Sequence, residues 1–348
     1  MGGTMANAIS EALSSLERND HLSEAQAAAA MREILGGAAS GADVERLAGA
    51  LHARGETPEE LVAMATVLRE STMAIESDGA VLDTAGTGGD GLRSFNASTV
   101  AAIIAAAAGA QVAKQHDRAV TSRCGATELL DAYGVATGMS PEAAGRCLRE
   151  AGLCFLSLRQ YHAAAFRNLE ADERSSETSS LMCLLSLLAN PAGARHQLLG
   201  VADEHRAEVA PEALRRLGTT HSLVVRGQDG MDEVSLRRPT TVHEVVGGEL
   251  KTWTLDPRDL GIDLAPRHAV LGGLPDENLL ITSFLLDGKS SAYRDLALLN
   301  AAAALLAADR VESIGDGVVL ARETVGSGAA RAKLREVVEF SRELMATV

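Results

Sequence analysis

The chain has 348 residues, of which 46% are hydrophobic and 23% charged, a globular balance that excludes intrinsic disorder and a collagen-like fibre. Its 32 basic and 47 acidic residues leave a net charge of −15, which opposes broad attraction to phosphate backbones or anionic lipid and leaves room only for a local basic pocket. The apolar run 100–110 is too short to span a bilayer, which takes about 20 such residues, so no membrane span is expected.

The first residues, Met1-Gly2-Gly3-Thr4-Met5-Ala6, lack a basic segment followed by an apolar one, and the expected location is the cytoplasm. From 8 to 72 the pattern is helical: Ile9, Leu13 and Leu16 fall at helix spacing, Ser23 to Gln26 reads as a capping start, and Pro58 stands in a first helical turn after Thr57. The character changes at Ala80. Val81-Leu82-Asp83 reads as a strand, Gly86-Thr87-Gly88-Gly89-Asp90-Gly91 as a loop, and an alanine-rich helix follows from about Ser98. A strand over 110–114, a helix over 126–133 and a strand over 221–226 continue an α/β alternation. The segments 241–245 and 251–255 flank Gly247-Gly248 as a hairpin, and helices over 296–308 and 329–344 close the chain. The polar stretch Ser175 to Ser180 reads as a mobile loop. Cys124, Cys147, Cys154 and Cys183 form no CxxC pair and no zinc-like spacing with His, which leaves ordinary packed thiols.

Three features carry chemistry. The glycine loop leaves a strand and runs into a helix start at Asn96-Ala97-Ser98-Thr99, where backbone amides and hydroxyls can hold anionic oxygens; alone, such a loop could equally be a tight turn. It has neither the Gly-Lys-Ser/Thr of a Walker loop nor the GxGxxG spacing of a dinucleotide site. Lys114, Arg118 and Arg123 gather after the next strand in an otherwise acidic chain and suit a dianionic phosphate. Asp232-Glu233, just after a buried-looking strand, suit Mg²⁺, which takes one or two carboxylates together with substrate phosphate oxygens.

Asp83-Thr84-Ala85-Gly86-Thr87-Gly88-Gly89-Asp90 with Ser94 to Thr99, Val112-Ala113-Lys114, Asn190-Pro191-Ala192-Gly193-Ala194, Gly227 to Glu233, and Arg294-Asp295 with Asn300 to Ala303 together resemble the anthranilate phosphoribosyltransferase family, nearly end to end. With the element order, the resemblance implies an α/β protein: a small all-helical N-terminal domain, 1–75, joined by helices from about 166–192, and a larger domain, 76–348, with a central mixed sheet flanked by helices. It further implies a homodimer through the helical domains and a cleft between domains that binds phosphoribosyl pyrophosphate with Mg²⁺. By position Gly86, Gly88, Gly89, Asp90, Asn96, Ser98, Thr99 and Lys114 would bind this donor, with Arg118 and Ser122 near its phosphates, and Ser98, Asp232 and Glu233 would hold the metal.

Departures from the family pattern concentrate on the acceptor side. After the lysine the family has His-Gly-Asn-Arg, where this chain has Gln115-His116-Asp117-Arg118, and its Phe-Ala-Pro-x-x-His-Pro becomes Ser157 to Ala163, keeping His162. The arginine that meets the anthranilate carboxylate in the family falls on Asp172 or Glu173, with Arg174 the nearest cation. Unanswered, Asp117 with one of these acids would repel a carboxylate and suit a cationic or amine-bearing acceptor, for example an aminoglycoside precursor such as neamine, with Asp117 as general base if a hydroxyl is attacked. The acceptor set is therefore Asp117, His116, His162, Asp172, Glu173 and Arg174. Against it stands ordinary anthranilate chemistry, with Asp117 protonated or paired to Arg118 or Arg123. Nucleoside phosphorylases share the architecture but carry a Lys-His-Ser-Thr-Gly-Gly loop that is missing at 83–88. A non-catalytic nucleic-acid-binding homologue is opposed by the charge of −15 and the absence of a basic stripe.

Overall fold

The computed structural model describes residues 8–119, 121–167 and 177–346. Four helices, α1 (Ala8–Glu17), α2 (Glu24–Gly36), α3 (Gly41–Arg54) and α4 (Pro58–Ser71), form the N-terminal unit. Their starts are locally encoded: the Ser23 and Thr57 hydroxyls accept the Gln26 and Glu60 amides, and those two side chains return to the cap backbone, satisfying amides that an uncapped helix leaves orphaned. Ile9, Leu13, Met31, Leu47, Leu51, Leu61 and Leu68 fill its core, and Leu181, Met182, Leu184 and Leu185 of α10 (Glu177–Leu187) join the same cluster. Residues 177–180, read in sequence as part of a mobile loop, form the first turn of α10, while Ser175 and Ser176 lie outside the described residues.

The rest is built on a seven-stranded sheet in the order β3-β2-β1-β4-β5-β6-β7. The strands are β1 (Val81–Gly86), β2 (Gln111–His116), β3 (Leu153–Ser157), β4 (His196–Gly200), β5 (His221–Gly227), β6 (Thr240–Val246) and β7 (Glu249–Leu255). The first five in that order run parallel, and β6 and β7 add antiparallel as a hairpin, so the sheet is mixed. Strand alternation feeds two cores: Leu223 and Val225 of β5 belong to the cluster that includes Ile103 and Leu299, and Val224 between them belongs to the cluster shared with the helical unit. On the first face lie α5 (Ala97–Ala107) and α13 (Ala292–Ala307), whose small side chains let two buried helices approach closely. Two strands, β3 and β4, and the helices Pro141–Ala151, Glu204–Arg216, Pro275–Leu286 and Ile314–Gly326 were absent from the sequence reading.

The order reverses between β1 and β4: β2 and β3 follow to one side of β1, β5 to the other of β4. At such a switch point the loops leaving the carboxyl ends of neighbouring strands part in opposite directions and open a crevice. Gly86 and Gly200 face each other in register at these ends. The Asp232 backbone packs against Gly200, where a Cβ would fall on its carbonyl, and the Asp232 carboxylate occupies the space a side chain on Gly86 would need.

Candidate functional site

A cavity of about 310 Å³ opens above these strand ends, lined by the glycine loop, the start of α5, the end of β2, the loop 117–125, one face of α10 and Asp232-Glu233. The glycine loop is shaped for its neighbour. Gly88 and Gly89 hold φ of 68° and 82°, a region costly for residues with a Cβ, and the turn aims the Gly88 amide at Asp232 Oδ2, 2.7 Å away. Asp90 accepts the Leu92 amide on Oδ1 at 2.9 Å, while its Oδ2 is buried with no hydrogen-bond partner.

At the start of α5 the Ser98 amide donates to Glu233 Oε1 at 3.0 Å, a carboxylate placed where the positive end of the helix favours it. Glu233 Oε2 and the Thr99 hydroxyl are buried without partners. Asn300 of α13 clamps the acidic turn, accepting the Val234 amide at 2.9 Å and donating to the Val234 carbonyl at 3.0 Å. Burial raises the Glu233 carboxyl well above its ordinary range and Asp232 from 3.8 to about 7, in each case with the neighbouring acids adding to the rise; burial also raises Asp90. Three acids whose charged forms are disfavoured, two of them with an orphaned oxygen, fit a divalent cation, which would supply the missing partner. Among the described residues no three His, Cys, Asp or Glu side chains make a ready metal cluster.

Lys114 lies beneath this wall, 2% exposed, donating to the Thr84 carbonyl and, at 3.4 Å, to Ser98 Oγ. Burial pulls its pKa from 10.5 down to about 8, against Asp83, Glu233 and Asp232, which favour the cation. Asn96 is fixed from two sides, donating to the Cys124 carbonyl at 3.1 Å and accepting from Asn278 at 2.8 Å. Ser122 donates to the same carbonyl at 3.1 Å, and Arg118, its side chain 53% exposed, reaches Glu128 at 3.4 Å. Glu128 and Asn278 were not singled out in the sequence, and Asn300 entered only as part of a motif without a role. Glu128 acts from the helix that directly follows the loop, capping Gly125 at 2.9 Å, whereas Asn278 and Asn300 act from helices far along the chain, for which short-range pattern carries no signal.

On the acceptor side the structure corrects two expectations. Asp117 is no unanswered charge: its Oδ1 accepts Arg159 Nε at 3.1 Å, a cation absent from the expected pairings with Arg118 or Arg123. His162 does not line the cavity; it is 1% exposed, with Nδ1 2.8 Å from Thr72 Oγ1 and Nε2 3.0 Å from Gln115 Oε1. Gln115 Nε2 is committed to Asp83 and the Ser186 carbonyl, so its oxygen accepts and His162 Nε2 donates. Burial lowers the His162 pKa to about 4, and this neutral ring joins the end of α4 to β2 as a structural tie. His116 does line the cavity, with Nδ1 at 2.9 Å from Thr127 Oγ1, Nε2 unpartnered, and a pKa lowered by burial and then by Lys114 to about 3. Asp172, Glu173 and Arg174 lie outside the described residues. Gly86, Gly88, Gly89, Asp90, Asn96, Ser98, Thr99, Lys114, Asp117, Arg118, Ser122, Asp232 and Glu233 are brought together around the one cavity.

Comparison with known proteins gives the same layout. Residues 10–72 match the helical bundle domain of a glycosyl transferase family, and residues 78–331 its a/b domain. An anthranilate phosphoribosyltransferase of Roseiflexus sp. (strain RS-1) is 44% identical over 96% of this chain and 98% of its own length. The enzyme of that name from Symbiobacterium thermophilum is 43% identical over 93% and 95%. The crystal structure of anthranilate phosphoribosyltransferase from Thermus thermophilus superposes with a TM-score of 0.87 at 38% identity, covering 97% of this chain and 99% of that one. The Saccharomyces cerevisiae enzyme, in complex with phosphoribosyl pyrophosphate and Mg, shares the fold with a TM-score of 0.86 at 22% identity.

Proposed function

The chain belongs to the glycosyl transferase family that includes the anthranilate phosphoribosyltransferases, and from that premise we propose that it moves a 5-phosphoribosyl group from phosphoribosyl pyrophosphate, with Mg²⁺, to the amine of anthranilate. The observation that carries the donor half is the buried acid cluster of Asp90, Asp232 and Glu233 facing the glycine loop and the start of α5 across a single cavity. The relatives' names, at 43–44% identity over nearly full length, carry the acceptor half.

Departure of pyrophosphate leaves positive charge on the anomeric carbon and gathers negative charge on the leaving oxygens. When bound, Mg²⁺ neutralises part of that leaving charge. The chain's own residues do the rest. The Gly88 and Gly89 turn and the α5 amides hold the phosphates at fixed positions, so little reorganisation remains at the moment of reaction. Asp232 and Glu233, with Ser98 at the start of α5, would hold the metal. Lys114, behind Ser98, opposes with its positive charge the rise that burial imposes on the Glu233 carboxyl. Asn96, locked by Asn278 and the Cys124 carbonyl, and Ser122 complete the donor wall, and Arg118 meets phosphate from the exposed rim.

A polyamine such as neamine was expected from free acids at the acceptor end. With Asp117 already paired to Arg159 that argument loses its ground, and the relatives named above carry the name of anthranilate enzymes. Anthranilate's weakly basic amine needs no strong base, and Asp117 here positions rather than deprotonates. Isothermal titration separates the readings: anthranilate added with donor analogue and Mg²⁺ gives a saturable isotherm, while neamine gives none. The reverse result refutes the acceptor assignment.

A further inference from the structure

We propose that Arg206 is a positioning residue for the transfer: it sets the separation of two walls of the cavity by bonding the first turn of α10, one wall, to the start of α11 (Glu204–Arg216), which abuts the donor wall. This rests on the reading that the cavity is where the phosphoribosyl group is transferred to anthranilate. Glu177, Ser180, Cys183 and Leu187 line the cavity at helix spacing, so one face of α10 forms the wall. The C-terminal end of that helix is anchored on the sheet and on α4. Gln115 donates to the Ser186 carbonyl at 3.1 Å, Gln197 to the Leu187 carbonyl at 2.9 Å and Arg69 to the Leu188 carbonyl at 2.8 Å. At the other end Arg206 holds it: Nη1 donates to Ser180 Oγ at 2.6 Å, and Nη2 lies 3.4 Å from Glu177 Oε2, which His52 of α3 approaches to 3.5 Å.

The guanidinium is buried and directs its other donors to the helical unit: Nε and Nη2 donate to Glu56 Oε1 at 3.1 and 2.6 Å, while the adjacent His205 meets the Glu56 carbonyl with Nε2 at 2.7 Å. Its flat fork of donors thus ties the helical unit, α10 and α11 together, which the point charge of an ammonium could not do. The start of α11 is in turn joined to the donor wall. Asp203 caps it by accepting the Arg206 amide at 2.8 Å, the Ala202 amide just before donates to Thr87 Oγ1 in the glycine loop at 3.2 Å, and Arg226 of β5 donates to the Ala202 carbonyl at 2.9 Å. A path of bonded neighbours therefore runs from the glycine loop to Ser180, and Arg206 is its last link. With a rise of about 1.5 Å per residue, Ser180 stands about 10 Å from the anchored Leu187, and a helix tilt of about 5° moves it by about 1 Å. Displacement on that scale can cost about 100-fold in rate, because the reacting groups held between the walls lose their alignment.

The test uses the full-length protein with saturating donor and Mg²⁺. S180A removes the bond that reaches the cavity wall and leaves the Glu56–Arg206 pair in place. E56M/R206M exchanges that pair for apolar side chains, a swap that is often neutral or stabilising for buried ion pairs, and removes the same bond from the other side. Both variants keep wild-type stability in urea denaturation, while kcat for transfer to anthranilate falls about 10–100-fold in each. The two losses do not multiply in the triple variant, because one bond is broken only once. Cys183, the one cysteine that is not fully buried, reports the wall without turnover: its reaction with dithionitrobenzoate is several-fold faster in both variants. Wild-type kcat in S180A, or losses that multiply in the triple variant, makes Arg206 a structural tie only and overturns the proposal. Should E56M/R206M be too unstable to assay, S180A decides alone through kcat and the Cys183 rate together. If the wild type transfers nothing to anthranilate, the acceptor reading fails on its own. The Cys183 rate then decides: faster in the variants it supports the positioning role, and unchanged it overturns it.

Discussion

Asp232 is built for a ligand at the expense of the empty fold, and replacing it with asparagine separates the two. Burial, followed by repulsion from Asp90, raises its pKa from 3.8 to about 7. Below pH 4 the group is protonated in folded and unfolded chains alike and contributes nothing. Between pH 4 and 7 the unfolded chain releases the proton while the folded one keeps it, so stability falls as pH rises, and above 7 the full penalty is present. Three units correspond to about 4 kcal/mol at most, and shared titration with Glu233 reduces what this residue shows by itself to about 1–3 kcal/mol. In D232N the amide oxygen still accepts the Gly88 amide, now without a buried charge. Without Mg²⁺, urea denaturation at pH 8 therefore finds D232N more stable than wild type by that amount, and at pH 4 the two coincide. The same variant loses about 100-fold or more in donor kcat/KM, because an anionic metal ligand is gone. A D232N protein less stable than wild type at pH 8, or one with wild-type Mg²⁺ dependence, refutes the reasoning.

The pH profile of kcat/KM for the donor is a narrow bell, rising as Asp232 ionises near 7 and falling as Lys114 deprotonates near 8, and K114M abolishes the alkaline limb. G200A places a methyl on the Asp232 carbonyl, and thermal melts register a loss of about 1–3 kcal/mol together with weaker donor binding. N278A releases Asn96 and the Gly273 amide that Asn278 accepts at 2.7 Å; the donor KM rises several-fold, with about 1–3 kcal/mol lost in chemical denaturation. E56Q removes the buried carboxylate that holds Arg206, which is 2% exposed and bonded to Glu56 at 2.6 Å, leaving Glu177 at 3.4 Å as its charged partner, and costs about 1–3 kcal/mol by the same assay.

The donor half of the site is legible in sequence because it is locally encoded. A glycine loop between a strand and a helix start, a lysine after the next strand and two adjacent acids each announce themselves within ten residues, and the fold brings together those three groups. The hairpin at Gly247-Gly248 and the helix Ala126–Tyr133 are legible for the same reason. The strand Leu153–Ser157 is a short apolar run and His196–Gly200 has only Leu198 and Leu199 as large apolar residues; both are buried on both faces, and such segments show no alternation against their neighbours. The acceptor half was misread because its electrostatics are non-local. Asp117 looked unanswered only until a cation 42 positions away came to lie beside it, and His162 looked like a channel residue until Thr72 and Gln115 claimed both of its nitrogens. Asn278 and Asn300 illustrate the same point, as asparagines inside helices whose work is done on other elements.

The account is tested most directly by incubating the protein with phosphoribosyl pyrophosphate, anthranilate and Mg²⁺ and analysing the mixture by mass spectrometry. It predicts anthranilate made heavier by one phosphoribosyl group, pyrophosphate in equal amount, and neither product when the metal is chelated. Pyrophosphate release with no adduct, or an adduct on amines that lack a carboxylate and none on anthranilate, would contradict it.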